Sequence, residues 1–267
     1  MDTNEENLKF SAKENLIKVE QQLDDYIASN YDLENDKYSL KYIHTFKTKR
    51  VSDEICSSLS LSQRETYLAG IIALFHDYAR FEQFRIYGTY SDANSVDHGD
   101  LAIELLFDKG ELFNFITDLN EEELNIVKLA IKNHNKYSVE EGLSEKQLLF
   151  CNIIRDADKV DIYRILSQDA RCISFEEGHL KEEELKNFYE HKLYKKTEKP
   201  IDFYDRIIMH LSYIFDLNFK QSFKILKKEK YVKKYMYSML LGISFKIDDE
   251  LINCFNYIEK YIKEKSN

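Results

Sequence analysis

Residues that interrupt regular secondary structure are rare in this sequence. Its 267 residues include one Pro and seven Gly. Sandwiches, barrels and collagen-like chains need turn residues at short, regular intervals, so the composition excludes these classes. Hydrophobic residues make up 43% of the chain and charged residues 32%, a balance typical of a globular protein with its own core. The sequence therefore predicts an all-α protein.

Long apolar runs and closely spaced cysteines are also missing. The longest core-like run, Leu68 to Phe75, is far shorter than the roughly 18 residues of a membrane span. The polar, acidic N-terminus does not resemble a signal peptide. No Cys-x-x-Cys pair occurs, which favours buried, reduced thiols over a zinc knuckle or a disulfide framework. The cysteines are Cys56, Cys151, Cys172 and Cys254. We therefore expect a cytoplasmic protein with no membrane partner.

Charge is unevenly distributed along the chain, whose net charge is −10. Residues 1–180 carry 20 basic and 34 acidic side chains, whereas residues 181–267 carry 18 and 14. An acidic field disfavours broad binding to nucleic acid, and cations are one way to balance it. Residues 219–235 interleave lysines with aromatic side chains, as single-strand-binding surfaces do. Their apolar positions have helical spacing, which favours a simpler interpretation than nucleic-acid binding. The aromatic and apolar side chains pack on one face of a helix, and the lysines form the solvated opposite face.

Capping signals mark the starts of several predicted helices. Four motifs resemble capping boxes, and each precedes an amphipathic stretch. They are Ser11-x-x-Glu14, Ser62-x-x-Glu65, Asn120-x-x-Glu123 and Ser144-x-x-Gln147. Helices are predicted near residues 12–30, 38–59, 63–77, 98–107, 121–134, 144–169, 181–191, 203–227, 231–243 and 248–264. Residues 78–97 have weak periodicity and predict a partly structured loop, which in a helical domain is often functional.

Ligand-type polar residues lie on the apolar faces of these helices. A carboxylate in a core is costly unless it is paired or bound to metal, and neutral imidazole is a common metal ligand. Alone, each such residue is more typical of a satisfied core histidine or a solvated acidic face. Their combination and order predict a site for divalent cations, better suited to Mn, Fe, Co, Ni or Zn than to Mg alone. The residues are His44, His76, Asp77, His98, His134 and Asp158.

The order of these residues resembles the HD superfamily of metal-dependent phosphohydrolases. That pattern is a His, then His-Asp, then a distal Asp, each on a separate helix. Here it reads His44, His76-Asp77 and Asp158. The segment RDADKVD is similar to the family's last motif, which favours Asp158 over Asp156 or Asp161. The segment FHDYARFEQFRIYGTYSDANSVDHGD is similar to a group of bacterial HD proteins. The resemblance covers about residues 38–165 and implies an HD-domain-like helical bundle with additional C-terminal helices.

The resemblance also implies which residues bind metal. His44, His76, Asp77 and Asp158 would hold one ion. Dinuclear members have two further histidines between the His-Asp pair and the last Asp, and His98 and His134 occupy that interval in order. The implied cofactor is one or two divalent ions (Mn, Fe, Co, Ni, Zn or Mg), with Asp77 bridging them and taking part in catalysis.

The sequence departs from the family at two places. Several mononuclear nucleotidases have a Glu at the third position after the His-Asp pair, where this chain has Arg80. The Gly-Tyr-Pro signature of members that cleave cyclic dinucleotides does not occur. Arg80 is the first candidate to bind a substrate phosphate and Lys159 the second, since phosphate needs cationic partners. Weaker candidates for this role are Arg85 and Lys136. Phe84, Tyr87 and Tyr90 are candidates to stack on a base.

These observations predict a metal-dependent phosphohydrolase that uses activated water on a phosphoester or phosphoanhydride of a small compound, most simply a nucleotide or dinucleotide. A di-iron oxygenase of the HD fold uses the same ligand set and remains an alternative, as does a non-catalytic sensor module. We expect a catalytic domain at residues 1–180 and a helical extension packed on it at residues 181–267. The oligomeric state is left open.

Overall fold

The computed structural model describes four stretches of the chain, which are residues 3–168, 178–195, 202–242 and 247–267. Every regular element in these stretches is a helix and none is a strand, so the all-α prediction is confirmed. No helix in the same stretches is long and apolar enough to cross a membrane. The chain divides into two compact units, one ending at Asp158 and the other beginning at Lys159. The domain limits expected from the sequence stay a prediction.

The first unit is built around one apolar helix. Its helices are α1 (Thr3–Asn30), α2 (Asp36–Ser58), α3 (Gln63–Phe75), α4 (Tyr78–Tyr87), α5 (His98–Ile103), α6 (Glu121–Asn133) and the first part of α7 (Glu145–Gln168). Short 3₁₀ turns occur at Asp92–Asn94 and Glu111–Asn114, and a π turn at Glu104–Asp108. Helix α3 packs against α1, α2 and α6, and α5 packs against α4 and α6.

The sequence of α3 explains its central position. Ser62 accepts from the backbone of Glu65, whose carboxylate accepts from the backbone of Ser62, as the capping motif predicts. Every residue from Tyr67 to Phe75 is buried. A Cβ at Gly70 would lie 2.6 Å from Leu16 Cδ2, so glycine permits the close approach of α1. The His-Asp pair that follows α3 is thereby held in the interior of the unit.

The prediction of a partly structured loop at residues 78–97 is wrong for the first half of this segment, which is helical. Helix α4 occupies its first half and ends at Gly88, which has the positive φ of +66° that suits glycine. The periodicity is weak because a polar side chain, Gln83, is buried among the apolar ones. Its amide donates hydrogen bonds to Asp92, Ser95 and the carbonyl of Val96.

Three of the four predicted capping boxes are present. Those at Ser62, Asn120 and Ser144 form the expected hydrogen bonds. Ser11 does not begin a helix, because α1 already starts at Thr3 and continues through it.

The second unit continues α7 and adds five helices within the described residues. They are α8 (Glu182–Tyr189), α9 (Phe203–Ser212), α10 (Lys220–Glu229), α11 (Tyr231–Gly242) and α12 (Asp249–Lys265). Helix α12 packs against α9, α10 and α11. The single helix predicted at 203–227 is two helices, separated by a 3₁₀ turn at Tyr213–Asp216. On α10, Phe223 and Leu226 are buried while Lys224, Lys227 and Lys228 are exposed, as expected for a solvated lysine face.

The cysteines agree with the sequence prediction where they are described. Cys56, Cys151 and Cys254 are buried free thiols. Cys172 lies outside the described residues.

Candidate metal centre

Six predicted ligand residues come together in the first unit, although they lie on different elements. His44 is on α2, and His76 and Asp77 join α3 to α4. His98 is the first residue of α5, His134 directly follows α6, and Asp158 is on α7. The histidines and Asp77 are buried, and the Asp158 side chain is 14% exposed. The fold therefore collects four imidazoles and two carboxylates in one interior region.

Asp77 lies between two pairs of histidines. The Nε2 atoms of His44 and His76 are 3.4 Å apart, and they lie 3.5 and 3.8 Å from Asp77 Oδ2. The Nε2 atoms of His98 and His134 are 3.0 Å apart, and they lie 3.4 and 3.6 Å from Asp77 Oδ1. Each pair with Asp77 forms a group of donors that could hold a metal ion. One carboxylate thus serves both groups through different oxygens.

Asp158 lies beside the first histidine pair. Its Oδ1 is 3.1 Å from His44 Nε2 and 3.9 Å from His76 Nε2. Asp161, the alternative in the same motif, forms an ion pair with Arg164 at 2.5 Å. Asp158 therefore lies close enough to His44 and His76 to be a fourth donor to the first group. Its role as a metal ligand stays a prediction.

Hydrogen bonds fix which ring nitrogen carries the proton in three of the histidines. Nδ1 of His76 lies 2.8 Å from the carbonyl of Ala73, and Nδ1 of His134 lies 2.6 Å from that of Ile131. A carbonyl only accepts, so each Nδ1 is the donor. His98 Nδ1 likewise donates to Asp92 Oδ2 at 2.7 Å. In the neutral form of these rings, Nε2 is then an unprotonated lone pair directed at the cluster.

Burial keeps the imidazoles of His76 and His98 neutral, because it disfavours their charged form. It lowers the pKa of His76 to about 3 and that of His98 to about 4. Burial would raise the pKa of Asp77, but the ammonium of Lys41, followed by the other cationic and hydrogen-bonding neighbours, holds it well below its ordinary value. Neutral imidazole and ionised carboxylate are the protonation states that bind metal.

The donor set fits divalent cations. His98 and His134 bring two Nε2 lone pairs to within 3.0 Å of each other, and both face an oxygen of Asp77. In the neutral rings these two nitrogens carry no hydrogen. The two nitrogen lone pairs and the carboxylate oxygen of Asp77 are then all hydrogen-bond acceptors, and they repel one another. A cation among them would turn this repulsion into coordination, and mixed imidazole and carboxylate donors suit transition metals.

The two predicted phosphate-binding cations already have protein partners. Arg80 Nη1 donates to Asp92 Oδ1 at 2.7 Å, to the Tyr90 carbonyl at 2.8 Å and to Gln83 Oε1 at 2.8 Å. Its Nε lies 3.5 Å from Asp77 Oδ1 and has no hydrogen-bond partner among the described residues. Lys159 pairs with Asp216 at 2.7 Å. Phosphate binding by Arg80 and Lys159 stays a prediction.

The weaker candidates also have partners. Arg85 pairs with Glu82 on the surface of α4, and Lys136 pairs with Asp97 and Asp100. The rings of Phe84 and Tyr90 pack on each other with centroids 5.0 Å apart, whereas Tyr87 is 45% exposed. Stacking of these rings on a substrate stays a prediction.

Two residues that contact the cluster were missed in the sequence. Lys41 Nζ donates to Asp77 Oδ2 at 2.7 Å. Asp92 accepts from both His98 and Arg80. Lys41 lies three residues before His44, so it shares a helical face with that histidine, and this spacing was the available signal. Nothing local distinguishes Asp92 from the other polar residues of its segment.

Comparison with known proteins identifies a family for this region. The family described as HD domain matches residues 42–163, a range that contains all six predicted ligands. Neither the search of curated proteins nor the search of solved structures found a match.

Proposed function

The chain is an HD-domain protein through residues 42–163, and from that premise we propose that it is a metal-dependent phosphohydrolase. The observation that carries the proposal is the position of Asp77, with one histidine pair facing each carboxylate oxygen. That arrangement suits two cations sharing one carboxylate. We further propose that His44, His76, Asp77 and Asp158 bind the first ion, and that His98 and His134 bind the second together with Asp77.

Divalent cations held there would supply a water of lowered pKa and polarise the phosphoryl group under attack. The chain's own contribution is to hold the ligands in place. Backbone carbonyls of Ala73 and Ile131 orient two of the imidazoles, and Asp92 orients His98. Such outer hydrogen bonds fix both the tautomer and the direction of the lone pair.

The proposed substrate is a phosphoester or phosphoanhydride of a small compound, with a nucleotide or dinucleotide as the first class to test. Support comes from the family and from the guanidinium of Arg80, whose Nε points to the same carboxylate as the histidines. A nucleic acid is not expected, because residues 1–180 are strongly acidic. We propose residues 1–180 as the catalytic domain and residues 181–267 as a helical extension.

Metal analysis and a product screen test this function. The protein is purified without added metal, analysed for metal content, and then assayed for phosphate or nucleotide release from nucleotides, dinucleotides and sugar phosphates with Mn, Fe, Co, Ni and Mg. We expect metal-dependent hydrolysis of at least one class. Asp77→Asn should abolish metal retention and turnover together, because both proposed ions use this carboxylate. Asp53→Asn, which changes a half-exposed carboxylate on α2 that pairs with Lys49, is the matched control.

Two results would contradict the proposal. Full metal content and turnover in Asp77→Asn would mean that the centre lies elsewhere. Iron with oxygen consumption, and no hydrolysis of any class, would favour the oxygenase reaction instead.

A further inference from the structure

Lys41 provides the closest cation to the carboxylate shared by the two proposed metal positions. Its Nζ lies 2.7 Å from Asp77 Oδ2, closer than the 3.5 Å between that oxygen and His44 Nε2. The Lys41 side chain is 16% exposed, whereas the Asp77 side chain is 3% exposed. The ammonium therefore reaches the buried carboxylate from a position that is still open to water.

In this contact the Lys41 ammonium supplies the positive charge that a metal ion would otherwise supply to Asp77. A buried carboxylate requires a positive partner, and here the ammonium supplies it. An ion bound by His44 and His76 would use the same oxygen of Asp77. Because ammonium and metal carry charge of the same sign, they compete for that oxygen, and an occupied site leaves the ammonium in need of another anion.

The surroundings of Lys41 keep its ammonium near the site. It lies 5.5 Å from the ring centroid of Tyr90, within the range of a cation–π contact. The Tyr90 hydroxyl donates to the carbonyl of Lys37 on α2, which fixes the ring beside this helix. Released from Asp77, the ammonium would thus remain beside the cluster, within reach of an anionic group of a substrate bound there.

We propose that Lys41 binds the substrate's phosphoryl group, and that Asp77 holds its ammonium in place until metal occupies the carboxylate. This proposal rests on the proposed function and names a different residue from the two that the sequence favours. Arg80 pairs most closely with Asp92, at 2.7 Å, and its Nε lies 3.5 Å from Asp77 Oδ1, while Lys159 pairs with Asp216. The anion partner of Lys41, in contrast, is the carboxylate that metal would take.

The proposal predicts effects of opposite sign in one variant. Lys41→Met removes the charge and keeps an apolar stem, and Lys41→Gln is the second variant. Calorimetric titration with Mn²⁺ should show binding about threefold tighter or more, because a competing cation is gone. Titration of the Mn²⁺-loaded protein with inorganic phosphate should show binding about tenfold weaker or more, because a charge-assisted hydrogen bond is lost.

Two further variants complete the test. Lys37→Met, an exposed lysine one turn earlier on α2, should leave both affinities unchanged. Lys41→Arg should retain phosphate binding because it retains the charge. A residue with a merely structural role would change both affinities in the same direction or neither.

The outcomes separate the two proposals. Wild-type phosphate affinity in Mn²⁺-loaded Lys41→Met and Lys41→Gln would overturn the role of Lys41 and leave the proposed function standing. Weaker metal binding without a change in phosphate binding would also overturn it. A wild-type chain that takes up no Mn²⁺ would contradict the proposed function, and the role of Lys41 with it.

Discussion

Asp92 connects the segment after α4 to the histidine cluster. Its Oδ2 accepts from His98 Nδ1 at 2.7 Å, and its Oδ1 accepts from Arg80 at 2.7 Å. Although burial would raise the pKa of Asp92, His98 and Arg80 hold it below its ordinary value, so the group is a carboxylate. It therefore strengthens the basicity of His98 and fixes the direction of its Nε2.

Removing the charge of Asp92 should weaken one metal position selectively. In Asp92→Asn, we expect affinity for the ion proposed to bind at His98 and His134 to fall about 10- to 100-fold. The ion beside His44 and His76 should be unaffected. Competition with a chelating dye at two metal equivalents measures both affinities. Asp100→Asn, an exposed carboxylate on α5, is the control, and equal loss in the two variants would argue against a specific role for Asp92.

His210 provides a pH dependence independent of the metal centre. It is buried in the second unit, its Nδ1 lies 2.8 Å from the Tyr235 hydroxyl, and burial lowers its pKa to about 3. The unfolded chain has an ordinary histidine pKa near 6.5, so it binds the proton first as the pH falls. The contribution to stability is complete above pH 6.5 and is lost progressively between about 6.5 and 3.

The size of this loss of stability is set by how strongly the unfolded chain binds the proton at His210. At pH 5, protonation of His210 in the unfolded chain should cost about 2 kcal/mol of folding stability. Denaturant unfolding at pH 7.5 and pH 5 should show a larger loss in the wild type than in His210→Gln, with a difference of about 2 kcal/mol, because His76 and His98 contribute their own losses to both proteins. Identical pH dependence in the two proteins would show that His210 does not contribute to it.

At this scale, the sequence predicted residue types better than contacts. The six candidate ligands share two recognisable features, imidazole or carboxylate chemistry and an apolar helix face, and the fold gathers all six. Asp92 has an ordinary local sequence, and Lys41 is marked only by its spacing from His44; their contacts with the cluster involve partners 6 and 36 residues away. Such pairings depend on how helices are placed in space, which periodicity does not specify.

Helices α6 and α7 are joined by a buried arginine. Arg155 on α7 donates to the carbonyls of Asn133 at 2.8 Å and Lys136 at 2.7 Å, where α6 ends. These carbonyls have no partner further along the helix, so a cationic donor satisfies them. The same contact fixes the end of α6 that carries His134 relative to Asp158, one turn along α7.

Loss of this arginine should destabilise the whole first unit. Arg155→Met keeps much of the volume but leaves buried carbonyls unpaired, and we expect a loss of about 2–4 kcal/mol in the free energy of unfolding. Urea denaturation of the metal-free protein measures it. Arg50→Met, on the more open surface of α2, is a control that should change stability by under about 1 kcal/mol. A stability equal to wild type in Arg155→Met would contradict this role.

The elements themselves were predictable where capping and apolar periodicity agree. The starts of α3, α6 and α7 follow from their capping motifs. Helix α4 was missed because its buried Gln83 interrupts the apolar pattern and is satisfied by a turn later in the chain. The break after α9 was missed because apolar residues continue through it. Both errors arise where tertiary hydrogen bonding or packing overrides local periodicity.

The six candidate ligands all belong to the compact unit that ends at Asp158. This unit contains the acidic excess of the chain, since residues 1–158 carry 17 basic and 30 acidic side chains whereas residues 159–267 carry 21 and 18. Cations bound at the cluster would offset part of that excess and stabilise the folded state by mass action. The second unit contributes helices with their own buried core, including Phe255 and Ile258 on α12.

Anomalous diffraction from crystals grown with Mn²⁺ tests the central claim most directly. The account predicts two manganese peaks per chain, one facing each carboxylate oxygen of Asp77, and only the peak beside His44 and His76 in His98→Gln. Crystals of well-folded protein in saturating Mn²⁺ that show no peak within coordination distance of Asp77 would contradict it.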